Sequence, residues 1–237
     1  MNVMEEVKAE GKTKSVSIFE EVAGMGHEQV VFCNDEATGL KAIIGIHNTV
    51  LGPALGGTRF WNYASEEEAV IDVLRLSRGM TYKAAVSGLN LGGGKAVIIG
   101  DPKQLKNEAF LRRFGKFVNS LNGKYITAED MGMNVDDMAV IKRTTENVTG
   151  LAHDKGGSGN PANFTSYGTY LGIKAAVESV FNTDRLDGLS IAVQGLGSVG
   201  LKLIDFLGKY DVKIYVSDLD SATIDRCVAK HNVIPIS

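Results

Sequence analysis

The spacing of apolar residues changes period several times along this chain, and each change predicts an element. Gln29-Val30-Val31-Phe32-Cys33 and Leu40-Lys41-Ala42-Ile43-Ile44-Gly45-Ile46 are rich in β-formers. They flank the turn-forming cluster Asn34-Asp35-Glu36-Ala37-Thr38-Gly39, which predicts a hairpin. Leu51-Gly52-Pro53-Ala54-Leu55-Gly56-Gly57 carries too many breakers for an element and predicts a loop. Ser65 then precedes Glu66, Glu67 and Glu68, an acidic helix start. Ala69, Val70, Val73, Leu74, Leu76 and Ser77 follow at helical spacing as far as Gly79. Ala96 to Ile99 predicts a short buried strand stopped by Gly100-Asp101-Pro102, and Asn107 to Leu121 an amphipathic helix. Lys124 to Thr127 predicts a further strand, with Ala128, Glu129 and Asp130 at its C-terminal end, where α/β sheets present ligand-binding groups.

Thr149 to Pro161 holds Gly150, Gly156, Gly157, Ser158, Gly159 and Asn160, and predicts a hinge between two domains, residues 1–149 and 150–237. Tyr167 to Phe181 predicts a long helix. Leu189 to Gln194 reads as a buried strand running into Gly195-Leu196-Gly197-Ser198-Val199-Gly200. Helical spacing from Val199 to Lys209, a strand over Val212 to Val216, and Asp218 complete a dinucleotide-binding order. Gly195, Gly197 and Gly200 permit a tight turn and close approach of a pyrophosphate to a helix N-terminus. Asp218 is placed to accept from ribose hydroxyls; with Asp220 beside it and no arginine following at once, NAD is favoured over NADP. The competing reading is a chance Gly-rich loop. The predicted class is α/β with two domains, the second Rossmann-like and incomplete within these residues.

Composition narrows the partners. A length of 237 residues is enough for two ordinary domains, and 44% hydrophobic with 22% charged residues is ordinary for a globular chain. A formal net charge of −3 gives no broad positive field, so no nucleic-acid partner is expected. Cys33 and Cys227 fall in separate predicted domains without metal-like spacing, which points to reduced thiols, a cytoplasmic setting and no metal. Met1 to Gly11 is charged, and no stretch approaches the ~18 apolar residues of a membrane span, so neither export nor a membrane is expected. His27, His47, His153 and His231 lack ligand spacing and read as ordinary hydrogen-bonded or solvated side chains.

The strongest chemical signal is Gly92-Gly93-Gly94-Lys95, with Lys83 upstream. Glycines without Cβ atoms let a ligand press against the backbone, and a poorly hydrated Lys95 near the ammonium of Lys83 would have its pKa lowered toward that of a general base. The bland alternative is a Gly-rich strand entry followed by a solvated lysine.

With these segments in place the chain resembles the Glu/Leu/Phe/Val dehydrogenase family. The resemblance rests on Leu51-Gly52-Pro53-Ala54-Leu55-Gly56-Gly57-Thr58-Arg59, Met80-Thr81-Tyr82-Lys83, Gly92-Gly93-Gly94-Lys95-Ala96, Thr127-Ala128-Glu129-Asp130-Met131-Gly132, Gly157-Ser158-Gly159-Asn160-Pro161 and the nucleotide fingerprint. It implies an N-terminal substrate and oligomerisation domain, a homo-oligomer, and NAD-dependent oxidative deamination of small aliphatic L-amino acids, leucine first and also isoleucine and valine. Lys83 is then similar to the residue that pairs with the substrate carboxylate, Lys95 to the base that activates water, and Asp130 to their proton-handling partner. Leu55, Gly56, Gly57, Met80 and Ala128 resemble the side-chain pocket, although Met80 reads equally as core and Ala128 as packing. Thr165 resembles a residue near the nicotinamide, or alternatively caps its helix. Valine- or phenylalanine-directed activity and a non-catalytic binding module are the rival readings.

Two departures stand out. Family members continue well beyond Ser237, so the expectation is a fragment of a longer protein, the other reading being a complete but inactive product. Met133 occupies a place where the family usually has threonine.

Overall fold

The computed structural model describes residues 17–236, which fall into two compact units divided between Gly159 and Asn160. The charged Met1–Gly11 stretch lies outside the described residues. The predicted hinge segment Thr149 to Pro161 spans the division between the units.

The first unit opens with α1 (Ile18–Met25) and the predicted hairpin, β1 (Gln29–Asp35) and β2 (Leu40–Asn48), paired antiparallel. β3 (Ala54–Trp61) corrects the later part of the loop expected over Leu51–Gly57, of which only Leu51 to Pro53 is loop. Its glycines lie where the neighbouring strands come too close for a side chain: a Cβ on Gly56 would sit 1.6 Å from the Gly94 carbonyl oxygen. Breaker composition here signals crowding. α2 (Glu66–Val86) starts as predicted, with the Ser65 hydroxyl accepting from Glu68 N–H. It runs one and a half to two turns past Gly79, where a Cβ would meet nothing within 4 Å, so this glycine terminates nothing.

β4 (Gly92–Ile99) is longer than the predicted Ala96–Ile99 and takes in all three glycines. Cβ atoms there would strike protein: the Asn48 carbonyl oxygen at 2.0 Å from Gly92, Thr81 at 2.1 Å from Gly93, and the Tyr125 ring at 2.7 Å from Gly94. The glycine run therefore serves close packing of strand against helix and neighbouring strands, not ligand access as expected. A short α3 (Pro102–Leu105) precedes α4 (Glu108–Ser120), which Asn107 caps. β5 (Tyr125–Glu129) and α5 (Val135–Lys142), with an Asn134–Asp137 capping box, complete the unit.

The sheet order is β1-β2-β4-β3-β5, with β3 parallel to both β4 and β5. One face carries Ile44, Ile98, Phe60 and Tyr125 against Phe110 and Phe114 of α4 and Met138 of α5. The other carries Ile43 and Val97 against Val70, Val73 and Leu74 of α2. Strands buried on both faces read as near-continuous apolar runs, which is why β2 was legible. Met133 is buried in the first of these cores, at 8% exposure, so its departure from threonine supplies apolar packing volume.

The second unit holds α6 (Ala162–Phe181), β6 (Ser190–Gln194), α7 (Ser198–Leu207), β7 (Lys213–Ser217), α8 (Ser221–Lys230) and β8 (Ile234–Pro235). The three strands are parallel in the order β6-β7-β8. β6 was expected to be buried, yet Ser190, Ala192 and Gln194 are exposed and only Val193 is buried; β6 sits at the sheet's edge with one face uncovered by the described residues. No helix among the described residues is long and apolar enough to cross a membrane.

Candidate active site

Parallel register builds the first half of the site. β3 and β5 pair Gly57 with Ala128 and Thr58 with Glu129, so the next residues along, Arg59 and Asp130, come abreast. Along β4, Val97 packs on α2 and Gly93 abuts Thr81 of α2, so alternation sends Lys95 to that same face. Lys95 is buried at 6% exposure, and its Nζ donates to Asp130 Oδ2 at 2.7 Å. Arg59 Nε donates to the same oxygen at 3.0 Å, and Arg59 Nη1 to Asp72 Oδ2 at 2.9 Å. The Tyr63 hydroxyl also donates to Asp72 Oδ2, at 2.7 Å.

The charges in this cluster set one another. Burial lowers the Lys95 pKa, Asp130 offsets part of that, and Arg59 pushes in the same direction as burial. Burial alone would raise Asp130, but Lys95 and Arg59 together hold its carboxyl below the usual range. Arg59 is opposed by burial and held ionised by Asp130 and Asp72. Arg59 is a cation that weighs on Lys95, and Lys83, expected to do so, lies exposed in the last turn of α2. Arg59 and Asp72 escaped selection as site residues because their partners are distant in sequence. Arg59 did stand within a quoted motif, which was the available signal.

The predicted side-chain pocket divides by strand alternation. Leu55, Gly57 and Ala128 fall on the α2 side of the sheet, and a Cβ on Gly57 would meet the Glu129 carbonyl oxygen at 2.6 Å and Asp130 Cβ at 3.0 Å. Gly56 is instead a packing position, and its carbonyl accepts from the Tyr125 hydroxyl at 2.7 Å. Met80 is half-buried on α2. A cavity of about 250 Å³ borders Arg59, Asp72, Tyr63, Trp61, Arg75 and Met131, leaving Lys95 off its wall.

In the second unit Gly195 takes φ +92°, a left-handed conformation that favours glycine, and a Cβ on Gly200 would lie 2.0 Å from the Gly195 carbonyl oxygen. Gly197 is the N-cap of α7 with no side-chain cap, and a Cβ there would meet nothing within 4 Å. Free N–H groups and open space at a ten-residue helix fit a dinucleotide pyrophosphate. Asp218 Oδ2 accepts from Leu196 N–H at 2.6 Å and Oδ1 from Asp220 N–H at 2.9 Å; these bonds hold its carboxyl below the usual range and at the turn. Thr165 is exposed in the first turns of α6, whose N-cap is Pro161, which removes the capping alternative. No cluster of three or more metal-binding side chains occurs among the described residues.

The sequence profile of the dimerisation domain of the Glu/Leu/Phe/Val dehydrogenases matches residues 27–147. The chain belongs to the Glu/Leu/Phe/Val dehydrogenase family. Within that family it is 53% identical to a leucine dehydrogenase of Geobacillus stearothermophilus over 90% of its own length and 58% of the relative's. It is 50% identical to a valine dehydrogenase of Streptomyces virginiae, covering 87% of this chain and 58% of that one. The solved L-tryptophan dehydrogenase of Nostoc punctiforme matches with a TM-score of 0.66 and 46% identity over 92% of this chain and 62% of that chain. This Glu/Leu/Phe/Val dehydrogenase chain thus spans about three fifths of the relatives it matches.

Proposed function

We propose that the protein carrying this chain oxidatively deaminates branched-chain aliphatic L-amino acids, leucine and also isoleucine and valine, to 2-oxo acids and ammonia with NAD. The observation that carries the reading is the buried Lys95 Nζ held 2.7 Å from Asp130. Burial lowers its pKa, with Asp130 offsetting part of that, in the direction that favours an amine serving as proton acceptor. Both cations engage Asp130 Oδ2, which leaves Oδ1 for a second proton transfer.

In this reading Lys83 pairs with the substrate carboxylate, and Leu55, Gly57, Met80 and Ala128 exclude water from an aliphatic side chain. Gly56 contributes by letting β3 approach β4. Gly195, Gly197 and Gly200 would receive the pyrophosphate, Asp218 the ribose and Thr165 the nicotinamide end; bound NAD supplies the hydride acceptor. Loss of hydride from Cα leaves an iminium. Lys95 takes the proton of the attacking water, and Asp130 passes protons to and from the departing amine. The first unit is also proposed to assemble the homo-oligomer, and the cytoplasm is the proposed setting.

Ala128 and the apolar neighbours favour aliphatic side chains, while one methylene is worth only about 1–3 kcal/mol in such a pocket. The test is the rate of NADH formation with leucine, isoleucine, valine and phenylalanine. Leucine is expected to exceed phenylalanine in kcat/KM, with Lys95→Ala losing turnover and keeping NAD affinity. A Lys95→Ala protein with near-normal turnover, or a preference for phenylalanine, would refute the reading.

A further inference from the structure

We propose that Arg59 is a positioning residue for the Lys95–Asp130 pair, clamped in place by Asp72 and Tyr63; this rests on the deamination reading above. The strand register supplies it. Because β3 and β5 run parallel with Thr58 opposite Glu129, the guanidinium of Arg59 meets the carboxylate of Asp130 wherever the sheet forms. α2 then returns along the same face and delivers Asp72 to the other side of the guanidinium.

A planar guanidinium has donors in a fixed fork, so it can address two carboxylates in one geometry, which a flexible ammonium cannot. Here Nε holds Asp130 and Nη1 holds Asp72, with the Arg59 side chain only 21% exposed. The Tyr63 hydroxyl fixes the Asp72 oxygen that receives Nη1. Asp130 is therefore turned so that Oδ2 receives both Lys95 and Arg59. Lys95 in turn faces a second positive charge that opposes its protonation.

The groups facing Lys95 come from every neighbouring element. β3 gives Arg59, the end of β5 gives Asp130, α2 gives Asp72, and the segment after β3 gives Tyr63 through Asp72. On β2 the residue opposite Lys95 is Gly45, which brings no charge, and the nearby His47 has its ring nitrogens engaged by Thr81 Oγ1 and the Met25 carbonyl. Arg59 and Asp72 act on Lys95 with opposite sign, Arg59 disfavouring its ammonium and Asp72 favouring it. That opposition is the signature of positioning by charge, since a loss of structure would move both variants the same way.

The test reads the ionisation of Lys95 directly, by its acetylation rate across pH measured by mass spectrometry, in the parent, Arg59→Gln, Arg59→Lys and Asp72→Asn proteins. Arg59→Gln is expected to raise the midpoint by about one pH unit, and Asp72→Asn to lower it by a similar amount. Arg59→Lys, which keeps the charge, should stay nearer the parent. The acid limb of kcat/KM for leucine should move with each midpoint. Unmoved midpoints, or shifts of the same sign in both charge-removing variants, overturn the proposal. Should Arg59→Gln not fold, the isosteric Asp72→Asn decides alone, an unmoved or raised midpoint refuting it. Midpoints that move as stated in a protein turning over no amino acid uphold the positioning role and defeat the deamination reading instead.

Discussion

Replacing Asp130 by asparagine removes one negative charge at nearly constant shape and leaves Lys95 and Arg59 facing each other. The lost contact is a 2.7 Å charge-assisted hydrogen bond to an ammonium at 6% exposure. Such bonds are worth about 1.5–3 kcal/mol, and each pKa unit corresponds to about 1.36 kcal/mol, so the Lys95 midpoint should fall by a further ~1–2 units. The direction follows from the charge: a carboxylate favours the ammonium, and its removal favours the neutral amine. Lysines carrying ¹³C-dimethyl groups report this by NMR titration, with the Lys95 signal identified from its disappearance in Lys95→Arg. The fraction of neutral Lys95 at pH 7 therefore rises in Asp130→Asn. If turnover nevertheless drops by ~10²-fold or more, Asp130 moves protons itself in addition to tuning Lys95. A midpoint that stays put or climbs would falsify the electrostatic account of this pair.

Acid lability should trace to the histidines at the α1–β2–α2 junction. Burial, then His47, lowers His27 to about 4, and burial also lowers His47. The folded state therefore binds fewer protons than the unfolded one, so this stability is complete above pH ~6.5 and is lost as pH falls toward 4. With solvent screening at the half-buried ring, His27 accounts for about 1–2 kcal/mol, and His27→Gln should flatten the fall in urea midpoint over that window. Equal acid lability in the variant would exclude His27 as its source. Gly56→Ala and Gly197→Ala should separate two uses of glycine: the first forces a Cβ within 1.6 Å of backbone and should cost about 3 kcal/mol or more, whereas the second meets open space. Thermal denaturation should show Gly197→Ala within ~0.5 kcal/mol of the parent while NAD affinity measured by calorimetry falls about tenfold or more. Unchanged NAD affinity would remove Gly197 from the pyrophosphate site.

Periodicity and punctuation along the chain determined most of the elements by themselves. The β1–β2 hairpin, the Ser65 and Asn107 helix starts and the β6–α7–β7 order follow from local rules, because turns, caps and apolar alternation act over a few residues. Lys95 and Asp130 were legible for the same reason, each lying on or just after a strand beside glycine-rich or acidic signals. Tertiary packing decided the rest. Gly56 and the Gly92–Gly94 run look like loop or ligand-contact residues until adjacent strands and α2 are seen to occupy every Cβ position. Arg59, Asp72 and Tyr63 became part of the site only when parallel register and the return of α2 brought their charges together, over separations at which sequence spacing carries no distance.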